Sequence, residues 1–167
     1  HYPRTQTADV DLCTDEYVDV VFAPSQSNMF DEKNVRILQP SSAADDFEGS
    51  GRPGHFAGVV TVVDRLFSVV KPTRAYFGIK DYQQVAVISD MSAQLHPNIE
   101  MVICETEREH DGLAMSSRNR FLSEGARARA ALLPAALTAA ITHWRNGTTQ
   151  TGVLIEVAQA TITQDPT

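Results

Sequence analysis

Positive charge is scarce in this sequence. Fourteen Lys and Arg stand against 21 Asp and Glu, a net charge of -7 at pH 7. No broad basic face is therefore available for nucleic acid or for a membrane surface. A phosphate ligand would need a local basic pocket, for which Arg52, Lys80, Arg118 and Arg120 are the candidates. Cysteine is almost absent: Cys13 and Cys104 are isolated, without metal spacing or a disulfide framework, which suits a reducing cytoplasm. The five histidines (His1, His55, His96, His110 and His143) show no His-x-x-His spacing, and no metal site is expected. No secretory signal, membrane-length apolar run, repeat or low-complexity block is present. Aromatics are only 7%, yet 43% of the 167 residues are apolar, enough for a core in one domain or one and a fraction. An initiating Met is lacking too, so the opening His1-Tyr2-Pro3-Arg4 reads as the start of an internal piece of a longer protein.

In chain order, residues 9–16 suit a short helix, and the β-branched run 18–22 has strand character. Residues 35–38 suggest another short strand, and 40–54 a polar loop carrying Asp45, Asp46 and Glu48. Residues 55–70 demand a choice. Val59, Val60, Val62 and Val63 favour a strand, but Phe56, Val59, Val60, Val63, Leu66, Phe67 and Val70 recur with helical spacing. Thr61, Asp64, Arg65 and Ser68 then form an opposite polar stripe, and the longer period predicts a helix stopped by Lys71-Pro72-Thr73. A strand over 74–77, a helix to about Leu95 with Val85, Ile88, Met91 and Leu95 on one face, and a strand over 99–104 follow. Helix, strand, helix, strand with short joints is the pattern of parallel βαβ units.

Residues 105–122 lack periodicity and read as a loop or domain junction. Ser123 is a candidate N-cap for an alanine-rich helical stretch to Trp144, which Pro134 should break or kink and Asn146-Gly147 should end. Residues 151–163 suggest a last helix. The expected division is 1–107 for an incomplete nucleotide-binding domain and 108–167 for a loop and the helical start of a smaller C-terminal domain.

The chain is organised around Ala75-Tyr76-Phe77-Gly78-Ile79-Lys80-Asp81-Tyr82-Gln83-Gln84, a strand end, a glycine turn and a helix start. In an open α/β sheet such a turn faces the crevice where ligands bind. Gly78 permits close backbone approach, and Lys80 stands where a phosphate at a helix N-terminus would meet it. A structural explanation is equally open, because Asp81 and Gln84 have the spacing of a capping box.

Gly78-Ile79-Lys80-Asp81-Tyr82-Gln83-Gln84 resembles the G-E-K-D-[FY]-Q-Q segment of the pantothenate synthetases (pantoate–β-alanine ligases). Three other stretches resemble that family in the same order: Tyr2-Pro3-Arg4-Thr5, then Glu48 to Phe56 (E-G-S-G-R-P-G-H-F), then Asp111 to Asn119 (D-G-L-A-M-S-S-R-N). The likeness covers most of the chain up to about Leu122 and then fades.

The resemblance implies a Rossmann-like α/β nucleotidyltransferase fold, a parallel sheet with helices on both faces, and a smaller C-terminal domain. It implies an ATP-dependent, AMP-forming ligase of pantothenate biosynthesis, the precursor of coenzyme A. Pantoate would be adenylated by ATP and the adenylate then captured by β-alanine. A cytoplasmic homodimer using Mg²⁺, with metal ligands outside this chain, is implied as well. Gly78, Ile79, Lys80 and Asp81 would line the ATP site, Lys80 neutralising phosphate charge and Asp81 bonding the ribose. Met115, Ser116, Ser117 and Arg118 match a mobile loop that closes over the triphosphate, so Lys80, Ser116, Ser117 and Arg118 are the catalytic candidates. The lysine turn and the serine–arginine loop would meet on one triphosphate. Glu107 falls where the family contacts adenine through its backbone, although a strand-end carboxylate is no natural neighbour for ATP. Gln84, Arg52 and His55 are the pantoate-binding candidates. For Arg52 and His55 a loop arginine and a helix-start histidine are equally open readings.

Two departures stand out. Ile79 replaces the family's usual Glu beside the lysine. The family's M-G-x-L-H-x-G-H loop and its N-P-x-Q-F segment find no counterpart, so the chain alone is expected to be inactive. Two rival readings follow: another adenylate-forming or nucleotidyl-transferring enzyme, and a non-catalytic nucleotide-binding domain.

Overall fold

A computed structural model of the chain describes residues 5–30 and 36–164. Tyr2, Pro3 and Arg4 of the first matching stretch, Val35 of the suggested second strand, and the final residues 165–167 lie outside the described residues. The chain forms two compact units, one ending at Glu105 and the other continuing from Thr106.

The first unit begins with α1 (Gln6–Asp15) and α2 (Gln26–Met29), the latter capped by Ser25, whose side chain accepts from the Asn28 amide. A 3₁₀ turn (Ser42–Ala44) and α3 (Glu48–Gly51) precede α4 (His55–Val70). Next come β1 (Arg74–Gly78), a 3₁₀ turn (Ile79–Asp81), α5 (Tyr82–Leu95) and β2 (Glu100–Cys104). The two strands are parallel, with Arg74 opposite Glu100 and Gly78 opposite Cys104, so β1, α5 and β2 form the expected βαβ crossover. One strand face is packed: Ala75, Phe77 and Met101 meet the core formed by Phe56, Val60, Phe67, Val87, Ile88 and Met91. The Phe67 ring lies edge-on to Phe77 at 6.4 Å between centroids.

Helical periodicity prevails over β-branched propensity in α4 because its apolar stripe finds a partner in α5 and the sheet. Its polar stripe is not a solvated face, however. Thr61 is buried and its hydroxyl accepts from the Leu38 amide at 3.0 Å. Asp64 meets the His96 ring at 2.8 Å, and Arg65 donates to the Met29 carbonyl at 3.2 Å. Polar side chains of α4 thus hold the irregular chain around residues 29 and 38 and the end of α5. Burial of these groups is tolerated because each is partnered.

Three local expectations are corrected. Residues 18–22 form no strand: Val18, Val20, Val21 and Phe22 are exposed and pair with neither β1 nor β2. Strand propensity yields a strand only where an edge and a packed face receive it. Residues 36–38 likewise carry no ladder, the Leu38 amide being taken by Thr61. Residues 40–54 are more ordered than a polar loop, since they contain the 3₁₀ turn and α3.

In the second unit, residues 107–115 fold into a tight hairpin rather than an irregular loop. Arg108 pairs antiparallel with Ala114, the Glu109 and Met115 amides bond the Leu113 and Glu107 carbonyls, and Gly112 supplies the positive φ of +85°. A 3₁₀ turn (Ser117–Phe121) leads to α6 (Glu124–Ala130), whose N-cap Ser123 accepts from the Ala126 amide at 3.3 Å. α7 (Leu132–Arg145) restarts after Ala131. Pro134 has no amide proton to give the Ala130 carbonyl, which is why α6 and α7 are not continuous. The Thr148 and Gly147 amides close α7 on the carbonyls of His143 and Trp144, with Gly147 at φ +99°. α8 (Thr151–Ile162) packs along α7.

Candidate functional site

The first turns of α4 and α5 open onto one cavity of about 440 Å³, lined by His55, Gly58, Val59, Val62, Val63, Phe77, Gln84 and Ile88. Its walls are apolar, and the Gln84 amide and the His55 imidazole are its main polar groups. Val59 and Val62 reach it because α4 is apolar over more than its core stripe. A pocket with apolar walls and a few convergent polar groups suits a small ligand with a hydrocarbon body and polar ends. Arg52 is not among the lining residues. It pairs with Glu48, one helical turn away, and borders a separate cleft of about 260 Å³ with Asp45, Gly49 and Phe56.

The lysine turn begins where β1 ends. Gly78 has an ordinary extended backbone, φ -75° and ψ 129°, so no forbidden dihedral requires glycine here. A Cβ at Gly78 would meet nothing within 4 Å, and the space above it is open. Lys80 Nζ lies 3.2 Å from Asp81 Oδ1, both side chains substantially exposed. Asp81 makes no cap hydrogen bond to α5, so the expected capping box does not form. Gln84 is thereby left to the cavity, and Asp81 to the lysine. Ile79 is half-buried at the start of the same turn.

In the second unit the hairpin places Met115 at its exit, exposed, ahead of Ser116. Ser116 caps the 3₁₀ turn by accepting from the Arg118 amide at 3.2 Å. The Ser117 carbonyl accepts from Arg120 Nε, and Arg120 also lies over the Phe121 ring at 5.7 Å. The Asn119 side chain donates to the Ala114 carbonyl, fastening the turn to the hairpin. Asp111 anchors the hairpin base: Arg127 of α6 donates to it at 2.5 Å and the Leu113 amide at 3.1 Å. Together they hold the Asp111 carboxyl well below the usual carboxylate range, at about 2. The Glu107 carbonyl is engaged by the Met115 amide, and the Glu107 side chain is exposed. Among the described residues, no three His, Cys, Asp or Glu side chains cluster so as to hold a metal ion, and no helix is long and apolar enough to cross a membrane.

Sequence reasoning missed Gln83. Its amide bonds to the Ala43 and Asp46 carbonyls and to the Glu48 amide. Adjacent residues on a helix point about 100° apart, so two consecutive glutamines at a helix start were a signal of two different partners.

The Pantoate-beta-alanine ligase family profile matches residues 1–167. The chain is 49% identical over 138 residues to a pantothenate synthetase of Mycolicibacterium smegmatis, a match covering 83% of this chain and 44% of that protein. Among solved structures it is similar to pantothenate synthetase from Thermus thermophilus, with TM-score 0.92, 40% identity, and coverage of 99% of this chain and 60% of that one. It is also similar to pantoate-beta-alanine ligase from Francisella tularensis, crystallised with beta-gamma ATP and beta-alanine, with TM-score 0.77, 31% identity, and coverage of 96% and 59%. The first likeness gives the chain the expected Rossmann-like nucleotidyltransferase fold, a parallel sheet flanked by helices. The chain spans about half the length of the curated relatives it matches.

Proposed function

Because this chain belongs to the pantoate–β-alanine ligase family, we propose that it supplies the pantoate pocket and phosphate-binding groups of an enzyme that condenses pantoate with β-alanine using ATP. A pantoate carboxylate oxygen attacks the α-phosphorus of ATP, the bond to the β-phosphate breaks, and pyrophosphate leaves. The β-alanine amine then attacks the acyl carbon, forming the C–N bond with loss of AMP and a proton.

One observation carries this reading: Gln84 and His55 share an apolar cavity. Pantoate has a dimethyl-bearing carbon between hydroxyl and carboxylate ends, which suits walls of Val59, Val62, Val63 and Phe77 with an amide and an imidazole at the rim. Gln84 would bond the polar end, holding the carboxylate in line for attack. Arg52 would act from the adjoining cleft. Gly78 would let ATP approach the end of β1, with Ile79 contributing backbone. Lys80 would offset charge on the phosphates and Asp81 would accept from the ribose. Ser116, Ser117 and Arg118 would donate to phosphate oxygens, Met115 would border the nucleotide, and the Glu107 backbone would meet adenine. Magnesium travels with ATP phosphates, but no cluster of side-chain ligands for it exists among the described residues, so the chemistry is assigned to the chain's own donors. A cytoplasmic homodimer is proposed on family likeness, with sedimentation equilibrium as its check.

Titration calorimetry with pantoate, and separately with ATP, tests the reading. Saturable binding of pantoate, weakened by Gln84→Ala, is expected. Binding of ATP with no response to pantoate would favour a nucleotide-binding domain of another kind.

A further inference from the structure

Phe47 has φ 50° and ψ -120°, a conformation that favours glycine, and its ring is 88% exposed. It is the second residue of a turn closed by the Gly49 amide on the Asp46 carbonyl at 3.0 Å. Such dihedrals at that position belong to a type II′ turn, which ordinarily takes Gly there. A strained residue persists only where its surroundings over-determine it. Exposed as it is, Phe47 draws little support from packing of its own ring.

The support comes from α5. Gln83 Nε2 donates to the Asp46 carbonyl at 2.7 Å, and Gln83 Oε1 accepts from the Glu48 amide at 3.1 Å. These are the groups immediately before and after Phe47, so one side-chain amide spans the strained residue. The same Nε2 also donates to the Ala43 carbonyl at 2.8 Å. Downstream, the Glu48 carboxylate holds Arg52, the Arg52 amide bonds the Gly49 carbonyl, and the His55 amide bonds the Arg52 carbonyl. His55 then lines the cavity opposite Gln84.

We infer that Gln83 is a positioning residue: it clamps the Phe47 turn and thereby fixes Arg52 and His55 relative to Gln84, its own neighbour in α5. The inference rests on the reading of the Gln84–His55 cavity as the pantoate pocket.

The test uses the full chain with Gln83→Met, which keeps length but removes the amide, read by hydrogen exchange at the Glu48 amide and by pantoate calorimetry. Exchange should accelerate by about tenfold or more, and pantoate affinity should fall about tenfold, the scale of lost hydrogen bonds. Val87→Ala, which thins the core, should lower the melting temperature at least as much yet leave pantoate affinity within about twofold. In a Phe47→Gly background the turn no longer needs holding, so Gln83→Met should cost pantoate affinity only about threefold or less. Unchanged exchange at Glu48 overturns the clamp whatever pantoate does. Faster exchange with unchanged affinity, or equal losses with and without Phe47→Gly, overturns its bearing on the site. If the unmodified chain binds no pantoate, the substrate reading fails and takes that bearing with it, while exchange still decides the clamp.

Discussion

His55 and Gln84 stand on the first turns of two different helices and line the same cavity. Strand β1 lies between them in sequence, and its Phe77 forms part of the shared wall. The packing of α4 on α5 therefore sets the distance between the two polar groups. A hydrogen bond to a charged ligand contributes about 1.5–3 kcal/mol. Gln84→Ala should consequently weaken pantoate by about tenfold to a hundredfold in calorimetry. Gln84→Glu, adding a like charge beside the carboxylate, should do worse. Equal affinity for both variants and the parent would remove Gln84 from the pocket.

Lys80 and Asp81 neutralise one another in the absence of ligand, which makes their proposed roles separable. Lys80→Ala should lower affinity for both ATP and inorganic triphosphate, with a shallower salt dependence than the parent. Asp81→Asn should weaken ATP, by losing a charged acceptor for the ribose, but preserve or improve triphosphate binding by releasing the lysine. Parallel effects of Asp81→Asn on both ligands would show that it serves the lysine alone.

How much of this was legible follows from where periodicity operates. The segments that became α4, β1, α5 and β2 carry long apolar repeats, and their boundaries fall within a residue or two of expectation. His55 and Gln84 were reachable through motif resemblance, and the fold brings them together. The polar stripe of α4 misled because Thr61, Asp64 and Arg65 find partners far away in sequence. No local pattern encodes such partners. Spacing also suggested a capping box at Asp81, but the neighbouring Lys80 draws the carboxylate instead. Gln83 was invisible for the same reason as Thr61: its meaning lies in a turn at Asp46–Gly49.

The hairpin under the Ser116–Arg118 turn should loosen in acid. Hydrogen bonds from Arg127, then from the Leu113 amide, depress the Asp111 carboxyl from 3.8 to about 2. A group depressed on folding contributes stability that is complete above its unfolded value and disappears as pH falls through the folded one. Arg127→Met should therefore lower the melting temperature near neutral pH, and the difference from the parent should shrink between about pH 4 and pH 2. Nuclear magnetic resonance titration of the Asp111 carboxyl should show its midpoint rising in Arg127→Met. A midpoint in the ordinary carboxylate range in the parent would contradict the anchor.

Two glycines in the matching motifs answer to different demands, and alanine should separate them. At Gly49 a Cβ would lie 1.7 Å from the Ala44 carbonyl oxygen, so backbone has to move. Gly49→Ala should cost about 1–3 kcal/mol as an overpacking change. In a unit of this size that is several degrees or more of melting temperature, and pantoate binding should suffer with the displaced turn. Gly78 has open space and ordinary dihedrals. Gly78→Ala should leave the melting temperature within a degree or two, and reducing the unfolded chain's freedom should even favour the fold slightly. Its cost should fall on ATP, whose backbone approach the methyl group would obstruct. A Gly78→Ala chain that binds ATP as well as the parent would mean that the open space above β1 is not where the nucleotide lies.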